Sequence, residues 1–164
     1  MTSTIERLGA TAIDCRQSAW QYAAALSFFS QGTLMTTPAD LAEFTSPHSY
    51  SQTVDRLAAA IERGGLSVMA RVDHAASAAA VGLSMPPTLV LLYGNPRGGT
   101  PIMLARPAAA LDLPLRVLIR EDDDGSTRVA FHPIVALLAR ADVASSIASK
   151  LEPAQRLLVD AISV

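Results

Sequence analysis

A glycine-rich loop in the middle of the chain has the residue types of an anion-binding site. The loop, residues 94–100 (GNPRGGT), joins an apolar run to a predicted helix. Backbone amides at a helix N-terminus, together with the side chain of Arg97, can hold a phosphate or a carboxylate. The loop has neither the Gly-Lys-Ser/Thr of a Walker loop nor the glycine spacing of a dinucleotide fingerprint. The alternative is an ordinary turn in which Thr100 caps a helix that begins at Pro101.

A carboxylate and an imidazole stand side by side at Asp73-His74. A histidine at a strand end can act as an acid, a base or a metal ligand. Neighbouring residues in a strand point to opposite faces, so the two side chains do not form a dyad while both are extended. The alternative is that Asp73 or His74 caps a helix that begins at Ala75.

Other chemistry-bearing residues predict no metal and no cofactor. The Asp-rich stretch 122–124 lacks the glycine and glutamate positions of a calcium loop, which favours a hairpin tip. The three histidines have no metal-ligand spacing, and no G-x-S-x-G is present for serine hydrolysis. A single cysteine, without a local histidine partner, excludes a disulfide framework or a multi-cysteine metal site. The residues concerned are His48, His74, His132 and Cys15.

The strands that must position the loop can be located from apolar patterning. Residues 88–93 (TLVLLY) are mostly apolar between Pro87 and Gly94, which predicts a central strand covered on both faces. Residues 66–72 alternate apolar with other side chains, which predicts a half-buried strand ending at Asp73. A first strand is expected at residues 41–46. The loop therefore follows a predicted central strand.

Local signals predict the remaining elements. Ser49 and Gln52 have capping-box spacing, and the helix after them should stop at Gly64-Gly65. The Asp and Gly residues at 122–126 predict a hairpin between strands at 115–121 and 127–131. Residues 143–162 have helical periodicity, interrupted by Pro153.

Length and composition indicate one domain with an appendage. The chain has 164 residues and a formal charge of −2, which gives no reason to expect nucleic acid or anionic lipid as a partner. Two long stretches without formal charge, 17–39 and 75–96, are too polar or too broken to span a membrane, and the first thirty residues make a poor signal peptide. A cytoplasmic protein is predicted. A mean hydropathy of +0.30 with 17% charged residues predicts a homodimer that covers apolar surface.

Four short motifs, in order, resemble the bacterial family known as domain of unknown function 302. They are residues 51–57 (SQTVDRL), residues 73–75 (DHA), the 94–100 loop and residues 111–116 (LDLPLR). The similarity covers about residues 40–140. At residues 131–133 this chain has Phe-His-Pro where the family usually has Tyr-Asn/Asp-Pro, so a role of that tyrosine hydroxyl is lost here.

The resemblance implies a fold and a tendency to dimerise rather than an activity. The implied fold is α+β and TATA-binding-protein-like, with a single curved, mainly antiparallel sheet and helices packed on one face. The predicted domains are an N-terminal helical extension at 1–37 and the α+β domain at 38–164.

Three functional hypotheses follow. The first is non-catalytic binding of a small anionic ligand by His74, Asn95, Arg97 and Thr100, with the strand end at 73–74 facing the loop. The second is an enzyme that uses His74 as general acid or base and Asn95 as an electrostatic donor. The third is a structural or protein-interaction module whose apolar helices dock another protein.

Overall fold

Five antiparallel strands form the sheet in a computed structural model, which describes residues 41–163. The strand order is β1-β5-β4-β3-β2. The strands are β1 (Ala42–Ser46), β2 (Ser67–Asp73), β3 (Thr88–Gly94), β4 (Leu115–Glu121) and β5 (Thr127–Phe131). The predicted α+β class with an antiparallel sheet is confirmed. The helical extension predicted at 1–37 lies outside the described residues, and the 38–164 boundary stays a prediction.

Within the described residues, six α-helices connect and cover the strands. They are α1 (Tyr50–Arg63), α2 (His74–Ala80), α3 (Pro96–Ala105), α4 (Ile134–Ala139), α5 (Ser145–Ala148) and α6 (Glu152–Ile162), with 3₁₀ turns at Pro107–Leu111 and Ser149–Leu151. None of the helices between residues 41 and 163 is both long and apolar enough to cross a membrane.

Helix α1 begins and ends where its sequence signals predict. The Ser49 hydroxyl accepts a hydrogen bond from the Gln52 amide, and the Gln52 side chain accepts one from the Ser49 amide, so the capping box is complete. The helix ends at Arg63, before Gly64, and Gly65 then takes a positive φ of 72°. Between these ends, α1 crosses over the sheet from β1 at one edge to β2 at the other.

The core lies between one face of the sheet and helices α1, α4 and α6. Alternate residues of the middle strands are buried on this face, as are residues of the three helices. They include Leu89, Leu91, Tyr93, Val117, Ile119, Leu57, Ile61, Leu138 and Leu158. On the other face, Val90, Leu92 and Leu118 are only half-buried by the described residues. Residues 41–163 thus cover β3 fully on one face only, and its coverage on both faces stays a prediction.

Strand β2 departs from simple alternation because it contains an irregularity. Its register with β3 shifts between Val68 and Ala70. Val68 pairs with Tyr93 on the helix-covered face, whereas Val72 pairs with Val90 on the opposite face. The alternation in residues 66–72 predicts that the apolar side chains share one face of the sheet, whereas Val68 and Val72 lie on opposite faces.

The start of helix α4 is capped from another helix. Pro133, at its N-cap position, makes no side-chain capping bond. Instead, the Gln155 side chain of α6 accepts from the Ile134 amide at 2.9 Å and donates to the His132 carbonyl at 2.7 Å. Gln155 is buried, with 7% of its surface exposed. Both polar ends of this buried side chain therefore have a backbone partner.

Candidate ligand-binding site

A cavity of about 620 Å³ opens where β3 ends and α3 begins. Its size falls within the range of roughly 300–1,000 Å³ typical of small-molecule sites. Strands β3 and β4 form one wall of the cavity. Tyr93 of β3 pairs with Leu115 of β4, and this pairing brings Gly94 beside Pro114. The opposite wall comes from Lys150 and from residues of the α6 region. The cavity is lined by Gly64, Leu66, Met69, 94–100, Met103, 113–115, Lys150, Leu151, Pro153, Ala154 and Leu157.

Asn95, rather than Thr100, caps helix α3. The Asn95 side-chain oxygen accepts from the Arg97 amide at 2.9 Å, and its amide group donates to the Gly65 carbonyl at 3.0 Å. The helix begins at Pro96, so Thr100 lies inside it and Pro101 does not start it. The predicted cap at Thr100 is therefore wrong. Asn95 holds the loop to the turn after α1.

The backbone amides at the start of α3 are already bonded. The amides of Gly98 and Gly99 both donate to the Asn95 carbonyl, at 3.0 and 3.1 Å, and that of Arg97 donates to the Asn95 side chain. Pro96 has no amide hydrogen. The predicted cradle of helix amides is consequently occupied by Asn95 and is not open to an anion.

Two cationic side chains remain at the cavity. Arg97 and Lys150 both line it and are exposed, and neither forms an ion pair within residues 41–163. No aspartate or glutamate is among the residues that line the cavity. Thr100 adds a hydroxyl to the same wall. The cavity therefore carries a positive charge that its own lining does not neutralise.

Glycines keep the cavity open beside these cations. A Cβ atom added at Gly99 would lie 3.8 Å from a methyl group of Leu113 and 3.9 Å from that of Met103, both of which line the cavity. One added at Gly98 would lie 3.3 Å from Leu151. Larger side chains at these positions would occupy the space between the two walls.

His74 lies at the other end of β3 and not at the cavity. Strand β2 runs antiparallel to β3, so Asp73 pairs with Leu89 while Ser67 pairs with Gly94. At roughly 3.4 Å per residue, the length of β3 separates His74 from Asn95 by about 20 Å. The expectation that His74 faces the loop is wrong, because neighbouring antiparallel strands run in opposite directions and their C-terminal ends lie at opposite ends of the strand pair.

Asp73 has the structural role that the sequence offered as an alternative. Its carboxylate accepts from the Ala76 amide at 2.8 Å and caps α2, which begins at His74. Tyr50 is near this carboxylate. Partial burial, together with the negative charges of Asp73 and Glu121, raises the pKa of the Tyr50 hydroxyl.

Lys150 is the site residue that sequence reasoning missed. It is far from the loop in sequence, and it comes to the cavity through the packing of the 3₁₀ turn before α6. Lys150 is the only lysine in the sequence, but the rarity of a residue type does not indicate where it lies in the fold.

The aspartates at 122–124 form a hairpin tip, as predicted. Asp122 pairs with Arg128 at 2.9 Å and also contacts Arg120. Asp124 accepts from the Ser126 amide at 2.9 Å. Across residues 41–163, no three His, Cys, Asp or Glu side chains form a group that could hold a metal ion. Cys15 lies outside the described residues.

Comparison with known proteins identifies the family. The sequence pattern described as "Domain of unknown function DUF302" matches residues 42–163, which is most of the chain. The chain belongs to the DUF302 family. A solved structure of an uncharacterized conserved DUF302 protein from Bacillus stearothermophilus aligns with a TM-score of 0.68 and 16% identity, over 74% of this chain and 97% of that one. The DUF302 fold expected from the four sequence motifs is therefore confirmed.

Two curated relatives are similar to part of this DUF302 protein. The Fluoride-specific ion channel FluC 1 of Brucella suis biovar 1 (strain 1330) is 44% identical over 80 residues, which is 49% of this chain and 32% of the relative. The protein of the same name from Brucella abortus biovar 1 (strain 9-941) is also 44% identical over 80 residues, or 30% of its length. The aligned part of the chain spans about a third of these relatives.

Proposed function

We propose that this DUF302 domain binds a small anionic molecule, without catalysis, at the cavity beside α3. The observation that carries the proposal is that Arg97 and Lys150 both line a cavity whose lining has no acidic side chain. An anion placed between them would make charge-assisted hydrogen bonds, which are stronger than neutral ones. Thr100 can donate a further hydrogen bond. Asn95 orients the loop and is not a direct ligand in this proposal, and His74 is outside the site.

The geometry gives less support to the enzyme hypothesis. That hypothesis needs His74 and Asn95 to act on one substrate, whereas the β2–β3 register places them at opposite ends of β3. Asn95 also uses both ends of its side chain to hold Arg97 and Gly65. Binding therefore explains the arrangement better than acid–base catalysis does.

Calorimetric titration of the full chain tests the proposal. The probes are phosphate, acetate, benzoate and octanoate at low ionic strength. At least one anion should bind, and Arg97→Gln and Lys150→Gln should each weaken it by about tenfold, since a hydrogen bond to a charged group contributes about 1.5–3 kcal/mol. Added salt should weaken binding as well.

Arg71→Gln is the matched control. Arg71 is exposed on β2, away from the cavity lining, and its replacement removes the same charge from the molecule. It should leave the affinity unchanged. An equal loss in Arg71→Gln, or no anion binding by the unmodified chain, would contradict the proposal.

Fluoride is a second candidate ligand because the curated relatives carry the name of fluoride-specific ion channels. A small, strongly hydrated ion requires several donors converging on one point to replace its water. At this cavity the helix amides are bonded to Asn95, and most of the lining is apolar. A fluoride titration followed by ¹⁹F NMR, with chloride as the comparison, would favour this candidate if only fluoride binds.

We also propose that the domain forms a homodimer through the edge of β2. This strand ends the sheet, so the described residues leave its outer backbone groups without a neighbouring strand. Large apolar side chains on and beside it are exposed, namely Val72, Val81, Leu83 and Met85. A second copy related by a two-fold axis can pair with this edge and cover these side chains.

Sedimentation at micromolar concentration tests the dimer. The protein should sediment at twice its 17.2 kDa chain mass, and Val72→Asp should sediment as a single chain because it places a charge in the apolar contact. Leu104→Asp is the control, since Leu104 is 80% exposed on α3. A 17.2 kDa species for the unmodified protein would refute the dimer.

A further inference from the structure

We infer that the ligand of this cavity is amphipathic: a carboxylate head held by Arg97 and Lys150 and an apolar tail that fills the interior. The inference rests on the proposed function and adds the chemical class of the ligand. Three features of the cavity carry it. They are the apolar walls, the bonded helix amides and the isolated pair of cations.

The walls of the cavity suit hydrocarbon. Half-buried apolar side chains line it from four elements or their flanking turns: Leu66 after α1, Met103 of α3, Leu113 before β4 and Leu157 of α6. Leu115 and Ala154 are buried at the same cavity. A bare inorganic anion would leave most of a space of about 620 Å³ without contacts, whereas an alkyl chain gains dispersion and hydrophobic energy along it.

The head group must be held by side chains. Asn95 occupies the amides of the first turn of α3, so the cavity lacks the concentrated backbone donors that bind compact anions. Arg97 and Lys150 lie on different elements, and both are exposed at this cavity. A carboxylate head group held by both side chains would stay partly in contact with water, while the apolar tail of the same ligand would be buried in the cavity.

The flexibility of the lining points to tails of variable shape. Met69 and Met103 both line the cavity, with their methyl groups near Gly94 and Gly99 respectively. Methionine is unbranched and polarisable, so it adapts to an irregular partner better than leucine does. Gly94 and Gly99 have room for an added Cβ atom at ordinary contact distances, so the lining is not tightly packed there. We therefore expect selection by the charge and the length of the ligand more than by its detailed outline.

A chain-length series separates this inference from the proposed function. The full chain is titrated with acetate, butyrate, hexanoate and octanoate, and with octan-1-ol as a neutral molecule of the same length. Affinity should rise roughly tenfold for every two methylene groups, as expected when each methylene is buried from water. Octanoate should bind at least tenfold more tightly than octan-1-ol, and the double variant Arg97→Gln/Lys150→Gln should remove this difference.

A second readout uses the one lysine of the sequence. Amine-reactive labelling followed by peptide mass spectrometry reports modification of the ε-amino group at Lys150 and at no other side chain. Octanoate should slow the labelling of Lys150 several-fold, whereas acetate at the same concentration should have little effect. This measurement needs no variant and so does not depend on the folding of one.

The outcomes are distinct. If carboxylates of every length bind equally and depend on Arg97 and Lys150, the amphipathic inference is overturned while the anion-binding proposal stands. If octan-1-ol binds as well as octanoate, the cavity takes apolar molecules, and the role of the two cations in this inference is overturned. If no anion binds and Lys150 is never protected, both fail.

Discussion

Replacing Gln155 by leucine should lower the free energy of unfolding by about 3 kcal/mol. The leucine would leave the Ile134 amide and the His132 carbonyl without the partners that Gln155 provides at 2.9 and 2.7 Å. The bond to the Ile134 amide is buried, and a buried polar group that loses its partner costs about 1–3 kcal/mol; the part-buried bond to the His132 carbonyl adds to this loss. Because Pro133 supplies no cap, no local group replaces the lost bond at the start of α4. Urea unfolding followed by circular dichroism measures the change.

The same substitution at Gln52 is the control. Gln52 is exposed on α1 and makes one long capping contact of 3.4 Å, so Gln52→Leu should cost less than about 1 kcal/mol. Equal effects at the two positions would show that the buried bonds of Gln155 do not determine the result. A Gln155→Leu protein within about 0.5 kcal/mol of the unmodified one would refute the assigned capping role.

Replacing Gly99 by tryptophan should weaken octanoate binding by about a hundredfold, which corresponds to about 2.7 kcal/mol. The Cβ atom of the new side chain would start between Leu113 and Met103, and the indole would occupy the cavity interior. The backbone tolerates the change, because Gly99 lies in α3 without a positive φ and glycine is a poor helix former. Calorimetry measures binding, and circular dichroism checks the fold.

Gly99→Ala is the matched control for this prediction. The added methyl group is in ordinary contact with its neighbours, at 3.8 and 3.9 Å, and leaves most of the cavity open. It should change the affinity by less than threefold and raise the stability by up to about 1 kcal/mol. If the tryptophan variant fails to fold, Met103→Trp, one turn further along the same face of α3, fills the cavity instead. Full affinity in a folded variant of either kind would place the ligand elsewhere.

Local chemistry predicted the elements well because the partners that decide them are close in sequence. Ser49 and Gln52 define the start of α1. Asp73 caps α2, which is one of the two interpretations that the sequence offered for Asp73-His74. At the 94–100 loop, two positions have the same local chemistry, since Asn95 and Thr100 each precede a proline. The choice falls to Asn95, whose side chain also reaches the Gly65 carbonyl. That partner is distant in sequence, so local signals could not identify it.

The candidate site was predicted in part for a similar reason. Arg97 and Thr100 are at the cavity because they belong to the loop itself. His74 is not at the cavity, because β2 and β3 are antiparallel and their C-terminal ends therefore lie at opposite ends of the strand pair. Lys150 could not be placed, because its position depends on how the C-terminal helices pack. The loop motif therefore predicted Arg97 and Thr100 at the cavity, whereas Lys150 is brought there by the packing of the C-terminal helices.

The position of β1 at the edge of the sheet has a consequence for folding during synthesis. The partner of β1 is β5, the last of the five strands in chain order, and Ala42 pairs with Phe131, which is distant in sequence. Non-local pairing of this kind slows folding, because the entropy cost of closing a long loop comes before any stabilising hydrogen bond can form. The nascent chain can form the β2–β3–β4 part first, and β1 joins only when β5 has paired with β4.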